Sequence, residues 1–343
     1  MMRVFDGHND ALSRLWNAGG DPVELFGQNE GHVNVPACST GGMGGGFFAI
    51  YSSSSRKPFD FTKLSPADLT GPLPPAIEEG AALISAIGQA GIARRLHDAG
   101  QIEIVTDASA LGRAFMGDAL ACILHLEGAD CIGADLLALD ALYAMGLRSL
   151  GIVWSRPTIF GEGVPFGFDQ DGDTGPGLTA DGKRLVARCK ELGVIVDTSH
   201  LTMKGFWDVG QMGVPLVATH SNAIAVCNTT RNLTDDQLKA VGETGGIAGL
   251  NFGTIFLDSA AWKDGRCRAD ACIRQLAHMI EIAGEDHVAI GSDFDGAPLP
   301  DDLQSAAELP ILIHAMEEAG FGDALIAKIA NENWLSFLSK NLN

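Results

Sequence analysis

The chain has 343 residues, 46% hydrophobic and 19% charged, enough apolar residues for a sizeable core and too many for a disordered protein or a coiled coil. Forty-three acidic against 23 basic residues give a formal charge of −20, a field that repels nucleic acid and anionic membrane surfaces. The 43 glycines follow no three-residue period, which excludes collagen. The start, Met1-Met2-Arg3-Val4, has no apolar core of a signal peptide, and no run of ~18 apolar residues follows. Seven cysteines without a C-x-x-C pair read as free thiols of a reducing compartment. A soluble, cytoplasmic protein is expected.

Short runs rich in Val, Ile, Phe and Leu predict eight strands: Arg3–His8, Gly46–Tyr51, Ala119–Leu126, Leu147–Trp154, Val194–Thr198, Leu216–His220, Gly246–Phe252 and His287–Asp293. Helical spacing lies between most of them, at Pro75–Ala99, Ala134–Met145, Thr179–Leu192, Met203–Met212, Thr234–Thr244 and Ala269–Ala283, and again at Leu303–Ala319 and Asp323–Leu338. Thr179 and Thr234 are placed to cap helix starts, and Gly193 to end one. Eight strands alternating with helices is the count of a (β/α)8 TIM barrel, an α/β fold whose chemistry sits at the C-terminal ends of the strands. We read residues 1–343 as one such barrel, with C-terminal helices and a Pro- and Gly-rich insertion around 155–177 over the mouth. An open doubly wound sheet is disfavoured because no Gly-x-Gly-x-x-Gly follows the first strand. The run Gly41–Gly46 precedes a strand instead of opening a helix, so it is backbone passing close to a neighbour and no phosphate loop.

The ionisable residues collect where such a barrel does its chemistry. Five strand ends read Asp6-Gly7-His8-Asn9-Asp10, His125-Leu126-Glu127-Gly128, Asp197-Thr198-Ser199-His200, Thr219-His220-Ser221-Asn222 and Gly291-Ser292-Asp293-Phe294-Asp295. Residues two apart on a strand share a face, so His8 goes with Asp10 and His125 with Glu127. One histidine at a strand end is ordinarily a hydrogen-bonded core residue. Several converging with three acids need a cation or shared protons to offset burial. Imidazole and carboxylate without thiolate suit Zn²⁺ with an open position. One ion would use three of these groups; six leave room for two, with Glu127 placed to bridge.

The ordered series His8-x-Asp10, Glu127-Gly128, Asp197-Thr198-Ser199-His200, Thr219-His220-Ser221-Asn222, Arg231-Asn232-Leu233 and Asp293-Phe294-Asp295-Gly296 resembles the membrane (renal) dipeptidases of the amidohydrolase superfamily. The segment Gly46-Phe47-Phe48-Ala49-Ile50-Tyr51 is similar as well. The resemblance implies a (β/α)8 barrel with two Zn²⁺ per chain that hydrolyses small dipeptides, a D-residue on the C-terminal side being one option. It implies that His8, Asp10 and Glu127 bind one zinc, and Glu127, His200 and His220 the other. Asp293 would be the general acid/base, Arg231 the partner of the substrate's carboxylate, and the chain a homodimer. Arg231 has the fork geometry for that partner, against the alternative of a loop anchor.

One position departs. The family places a histidine after the fourth strand to stabilise the oxyanion, and Trp154 stands there in Val153-Trp154-Ser155-Arg156. Its indole can donate one hydrogen bond, and Arg156 or zinc is the alternative stabiliser. His125 reads as a supporting histidine, Asp197 and Asp295 as acceptors for ligand histidines, and no serine as a nucleophile. The competing functions are another amidohydrolase, acting on a nucleobase, an N-acyl amino acid or a related amide, and a metal-free scaffold barrel.

Overall fold

A computed structural model describes residues 2–53, 73–169, 173–261 and 265–342. Among these residues nine parallel strands form one sheet: β1 (Val4–Asn9), β2 (Met43–Tyr51), β3 (Ile102–Ile104), β4 (Leu120–Glu127), β5 (Leu147–Gly151), β6 (Ile195–Asp197), β7 (Val217–Ala218), β8 (Ile247–Leu250) and β9 (Val288–Ile290). Eight of them run in the order β1-β2-β4-β5-β6-β7-β8-β9, and a bridge between Asn9 and Phe294 brings the two ends together. The barrel fold expected from the sequence is the fold observed.

Alternation along the strands builds the interior in tiers. Phe5, Phe47, Ile123, Ile195, Val217, Ile247 and Ala289 share a buried cluster with Trp334 of the last helix, Asn333–Asn341, which plugs the floor. The Trp334 indole donates to the Ile290 carbonyl at 2.8 Å. Two residues further along β4, β6 and β7 stand His125, Asp197 and Thr219, and two beyond those on β2, β4 and after β8 and β9 stand Tyr51, Glu127, Asn251 and Asp293. The period of two thus carries each strand from an apolar floor to a polar cup.

The cap signals hold. Thr179 accepts from the Gly182 amide, Thr234 forms a capping box with Gln237, and Gly193 ends its helix in the left-handed region. The sequence reading omitted β3 and the helices Ala11–Ala18, Pro22–Gly27, Val35–Gly41 and Ala108–Met116. β3 occupies the edge of β4 at Leu120–Cys122, before β5 takes over that edge at Leu124. The fourth expected strand ends at Gly151, not Trp154, because the chain turns there and the Arg156 amide bonds back to the Trp154 carbonyl. The expected helix Asp323–Leu338 is interrupted by a wider turn at Lys328–Glu332. Among the described residues no helix is long and apolar enough to cross a membrane.

Candidate active site

His8, Asp10, Glu127, His200, His220 and Asp293 are all buried and converge at the C-terminal ends of the strands. Glu127 sits at their centre and divides its oxygens. Oε2 lies 3.8 Å from His8 Nε2, while Oε1 lies 3.2 Å from His200 Nε2 and 3.6 Å from His220 Nε2. Asp10 adds an oxygen 3.5 Å from His8 Nε2. His8, Glu127 and His220 form one compact ligand group, and His8, Asp10 and Asp293 a second.

The surrounding hydrogen bonds aim the nitrogens. Asp197 accepts from the Thr219 hydroxyl at 2.6 Å, so that hydroxyl is an acceptor for His220 Nδ1, 2.8 Å away. His220 therefore carries its proton on Nδ1 and turns the lone pair of Nε2 into the cup. His200 has Ser155 Oγ 2.9 Å from Nδ1, and its Nε2 is only 3.1 Å from that of His220. Both ring nitrogens of fully buried His8 lack a hydrogen-bond partner. Lone pairs and carboxylates pressed together, with an orphaned imidazole among them, fit a cation site, and the donor set of nitrogen and oxygen fits a divalent metal.

The protein's own charges show the same frustration. Burial pushes the Glu127 carboxyl up to about 8 and drives His200 and His220 well below the usual imidazole range. Burial opposes charge on His8 as well, but Glu127, Asp10 and Asp293 outweigh it and hold that imidazole up to about 10.

His200, Asp293 and Asp295 adopt left-handed backbone conformations (φ 67°, 61° and 65°), a strain that non-glycine residues carry where a site imposes it. Gly296 lies between two carboxylates: a Cβ there would run into Asp10 Oδ2 and Asp293 Oδ1. Asn251, which sequence reasoning missed, donates from Nδ2 to Asp293 Oδ2 at 2.9 Å. The signal was its place at the end of the seventh expected strand, where the other strands carry ligands.

The remaining sequence candidates divide. Asp197 reaches His220 through Thr219, as a supporting acceptor. Asp295 touches no ligand histidine; it pairs with Arg14 at 3.1 Å and accepts from the His32 amide at 2.7 Å. His125 is buried beneath Glu127 with Ser149 Oγ 2.9 Å from Nδ1, and burial pushes it down to about 3. Arg156 is not available to an oxyanion: fully buried, it forms a two-pronged pair with Asp130, both contacts 2.8 Å. Arg231 gives Nη1 to Ser221 Oγ at 2.6 Å and Nη2 to the His220 carbonyl at 2.8 Å, while Nε has no partner. It lies 5.9 Å behind the Phe256 ring instead of lining the mouth. That mouth is a cleft with Glu127, His200 and Asp293 in its floor and Tyr51, Trp154, Phe166 and Phe256 in its walls.

A parallel barrel with a buried cluster of histidines and carboxylates at its strand ends defines a metal-dependent hydrolase of the amidohydrolase type. The sequence model of the family described as membrane dipeptidase (peptidase family M19) matches residues 1–341. A protein from the pqqA 5′ region of Klebsiella pneumoniae is 42% identical over 243 residues, 71% of this chain and 90% of its own length. The crystal structure of a metallo peptidase from Rhodobacter sphaeroides, liganded with a phosphinate mimic of the dipeptide L-Ala-D-Ala, superposes with a TM-score of 0.92 at 42% identity over 99% of both chains. The probable dipeptidase PvdM from Pseudomonas aeruginosa, 19% identical, shares the fold with a TM-score of 0.83 over 99% of this chain and 96% of its own. The chain belongs to the membrane dipeptidase family, peptidase family M19, and is a metallo-dipeptidase of that family.

Proposed function

We propose that the protein is a binuclear zinc dipeptidase that hydrolyses small dipeptides with a free C-terminal carboxylate, including those with a D-residue at that end. The observation that carries this reading is the division of Glu127, one oxygen toward His8 and the other toward the His200–His220 pair. His8 and Asp10 with Glu127 would hold one ion, and His200 and His220 with Glu127 the other. A divalent pair so held supplies a nucleophilic water near neutral pH and polarises the scissile carbonyl.

The chain's own residues do the rest. Asp293, fixed by Asn251 through one oxygen, accepts the proton of the attacking water and returns it to the leaving amine. Arg231, set behind Phe256, keeps one donor without a partner, Nε, and a substrate carboxylate that reaches past that ring, the group that sets a dipeptide apart from a protein chain, would pair with it. Trp154 forms part of the wall against which the substrate lies. The ligand described for the Rhodobacter sphaeroides relative, a dipeptide mimic, supports the same substrate class.

Elemental analysis should find two zinc ions per chain, and one would refute the binuclear site. Arg231→Met should lower kcat/KM on dipeptides by ~10-fold or more, because a charge-assisted pair with a carboxylate is lost. The corresponding dipeptide amides should be little affected. Equal losses on acid and amide would mean that Arg231 only braces Ser221 and the His220 carbonyl. A wild-type preference for the amides would overturn the dipeptidase reading in favour of an amidohydrolase of other amides.

A further inference from the structure

Trp154 stands where the family pattern has a histidine, and the structure surrounds it with features that a mere replacement would not need. Its ring is half-buried in the wall of the cleft, 5.8 Å from the His200 ring, 5.4 Å from that of Tyr51 and 5.7 Å from that of Phe166. Behind it lies the Arg156 guanidinium, 5.4 Å from the indole and 5.2 Å from the Tyr51 ring, at a cation–π distance from both. Each nitrogen of that guanidinium is engaged: Nε and Nη2 on Asp130, Nη2 also on the Ser52 carbonyl at 2.7 Å, and Nη1 on the Tyr51 hydroxyl at 3.2 Å. Burial opposes its charge, but Asp130 and Tyr51 more than offset this, so it stays an arginine cation. A cation tied to the ends of β2 and β4 cannot swing aside, and the indole in front of it cannot recede.

The backbone is held as firmly. Gly163 lies flat against Trp154, where a Cβ would run into the Trp154 carbonyl, and the next residue, Val164, donates to the His200 carbonyl at 2.8 Å. The wall is thus fixed to the same residue that it faces. Across the cleft stand Ile255, Phe256 and Pro298, and among the described residues no lysine or arginine lines it.

We propose that Trp154, backed by the buried Arg156–Asp130 pair, is a rigid size gate that restricts the substrate side chain beside His200 to small residues. This rests on the dipeptidase reading above and names the substrate class within it. A hydrophobic wall discriminates by excluding volume, so removing it opens the site to larger side chains without touching the groups that react.

The test is kcat/KM for two dipeptide series on the zinc-loaded enzyme, one varying the N-terminal residue before D-Ala and one varying the D-residue after L-Ala, from Ala to Phe. Zinc content is measured for each variant. In at least one series the wild type should fall steeply with size. Trp154→Ala should recover the large member relative to Ala by ~10-fold or more with zinc retained. Trp154→Phe, which keeps bulk but removes the indole N–H, should keep the wild-type profile. Removing both buried charges together, Asp130→Leu with Arg156→Met, leaves no unpaired ion and should relax the profile in the direction of Trp154→Ala. An active wild type whose size profile survives Trp154→Ala overturns the gate while leaving the dipeptidase reading intact. Loss of kcat in Trp154→Phe with the size profile unchanged overturns it in favour of a donor role for the indole. A zinc-loaded wild type that cleaves no dipeptide overturns the reading beneath it as well. If the double variant loses its zinc, Trp154→Ala alone decides.

Discussion

The two halves of the barrel are built differently. From β1 to β5 the ladder is long: β2 has nine residues and β4 eight, paired without interruption from Gly45–Ala121 to Tyr51–Glu127. From β6 to β9 no strand exceeds four residues, and β6 meets β7 at a single register pair, Asp197–Val217. Side chains supply what the backbone does not. Asp197 accepts from the Thr219 amide and hydroxyl, Asn222 pairs with the backbone of Asn251, and Asp6 of β1 accepts from the Ser292 amide at 2.7 Å across the closing seam. Gly249 and Gly291 crowd the Thr219 carbonyl so closely that a Cβ on either would collide with it. The long-laddered half contributes His8, Asp10 and Glu127 to the site, and the stitched half contributes His200, His220 and Asp293. In the first half the ladder itself carries most of the shape, with Asn9 and Gln89 bracing it at the Phe47 carbonyl and the Tyr51 backbone. In the second the same side chains set both the shape and the aim of the ligands.

Substitutions can break or sharpen that contrast. The largest effect should come where the halves meet: Glu127→Gln neutralises the carboxylate shared by the two proposed zinc sites, and on that reading both ions should be lost together on elemental analysis. Loss of one alone would mean that the halves bind independently. Asp293→Asn should lower kcat by ~10²–10⁴-fold with zinc largely retained. Activity lost only in step with zinc would make it a plain ligand. Thr219→Val in the stitched half should weaken zinc affinity by ~10–100-fold, because His220 loses the acceptor that fixes its tautomer. Trp334→Ala in the floor should instead cost about 3–5 kcal/mol of stability in denaturant titrations and leave kcat unchanged. The smallest effect should follow chelation, with amide exchange rising more in 195–222 than in 43–51 and 120–127. A uniform rise would dissolve the contrast between the halves.

That contrast also separates what was legible in the sequence from what was not. The eight barrel strands announce themselves because each carries an apolar run, and five of them end in chemistry-bearing residues. The ligand candidates were visible by position alone, since a strand end is one of few places where buried acids can gather. Pro22–Gly27 and Val35–Gly41 escaped because six or seven residues carry too few turns for a periodic pattern, although Asp21 before Pro22 and Asn34 before Val35-Pro36 mark their starts, as Asp107 does for the longer Ala108–Met116. β3 is three residues long and gives alternation nothing to repeat. The partnership of Arg156 with Asp130 spans 26 residues and two strands, so no local pattern could show that its cation was already spoken for. Asn251 was hidden for the same reason, its partner Asp293 being 42 residues away.

Gly296 carries a consequence for how variation in this chain is read. It has no side chain and no charge, and its amide only bonds back to the Asp293 carbonyl at 3.0 Å, yet the carboxylates of Asp10 and Asp293 occupy the space it leaves free. Each of the other nineteen amino acids brings a Cβ, so every missense change at this codon, the mildest alanine included, forces apart two carboxylates of the catalytic cup. A catalogue of variants scored by chemical similarity or by the loss of reactive groups would rank Gly296→Ala as benign. Its harm comes from an added methyl, and the residues to repair it lie in other strands.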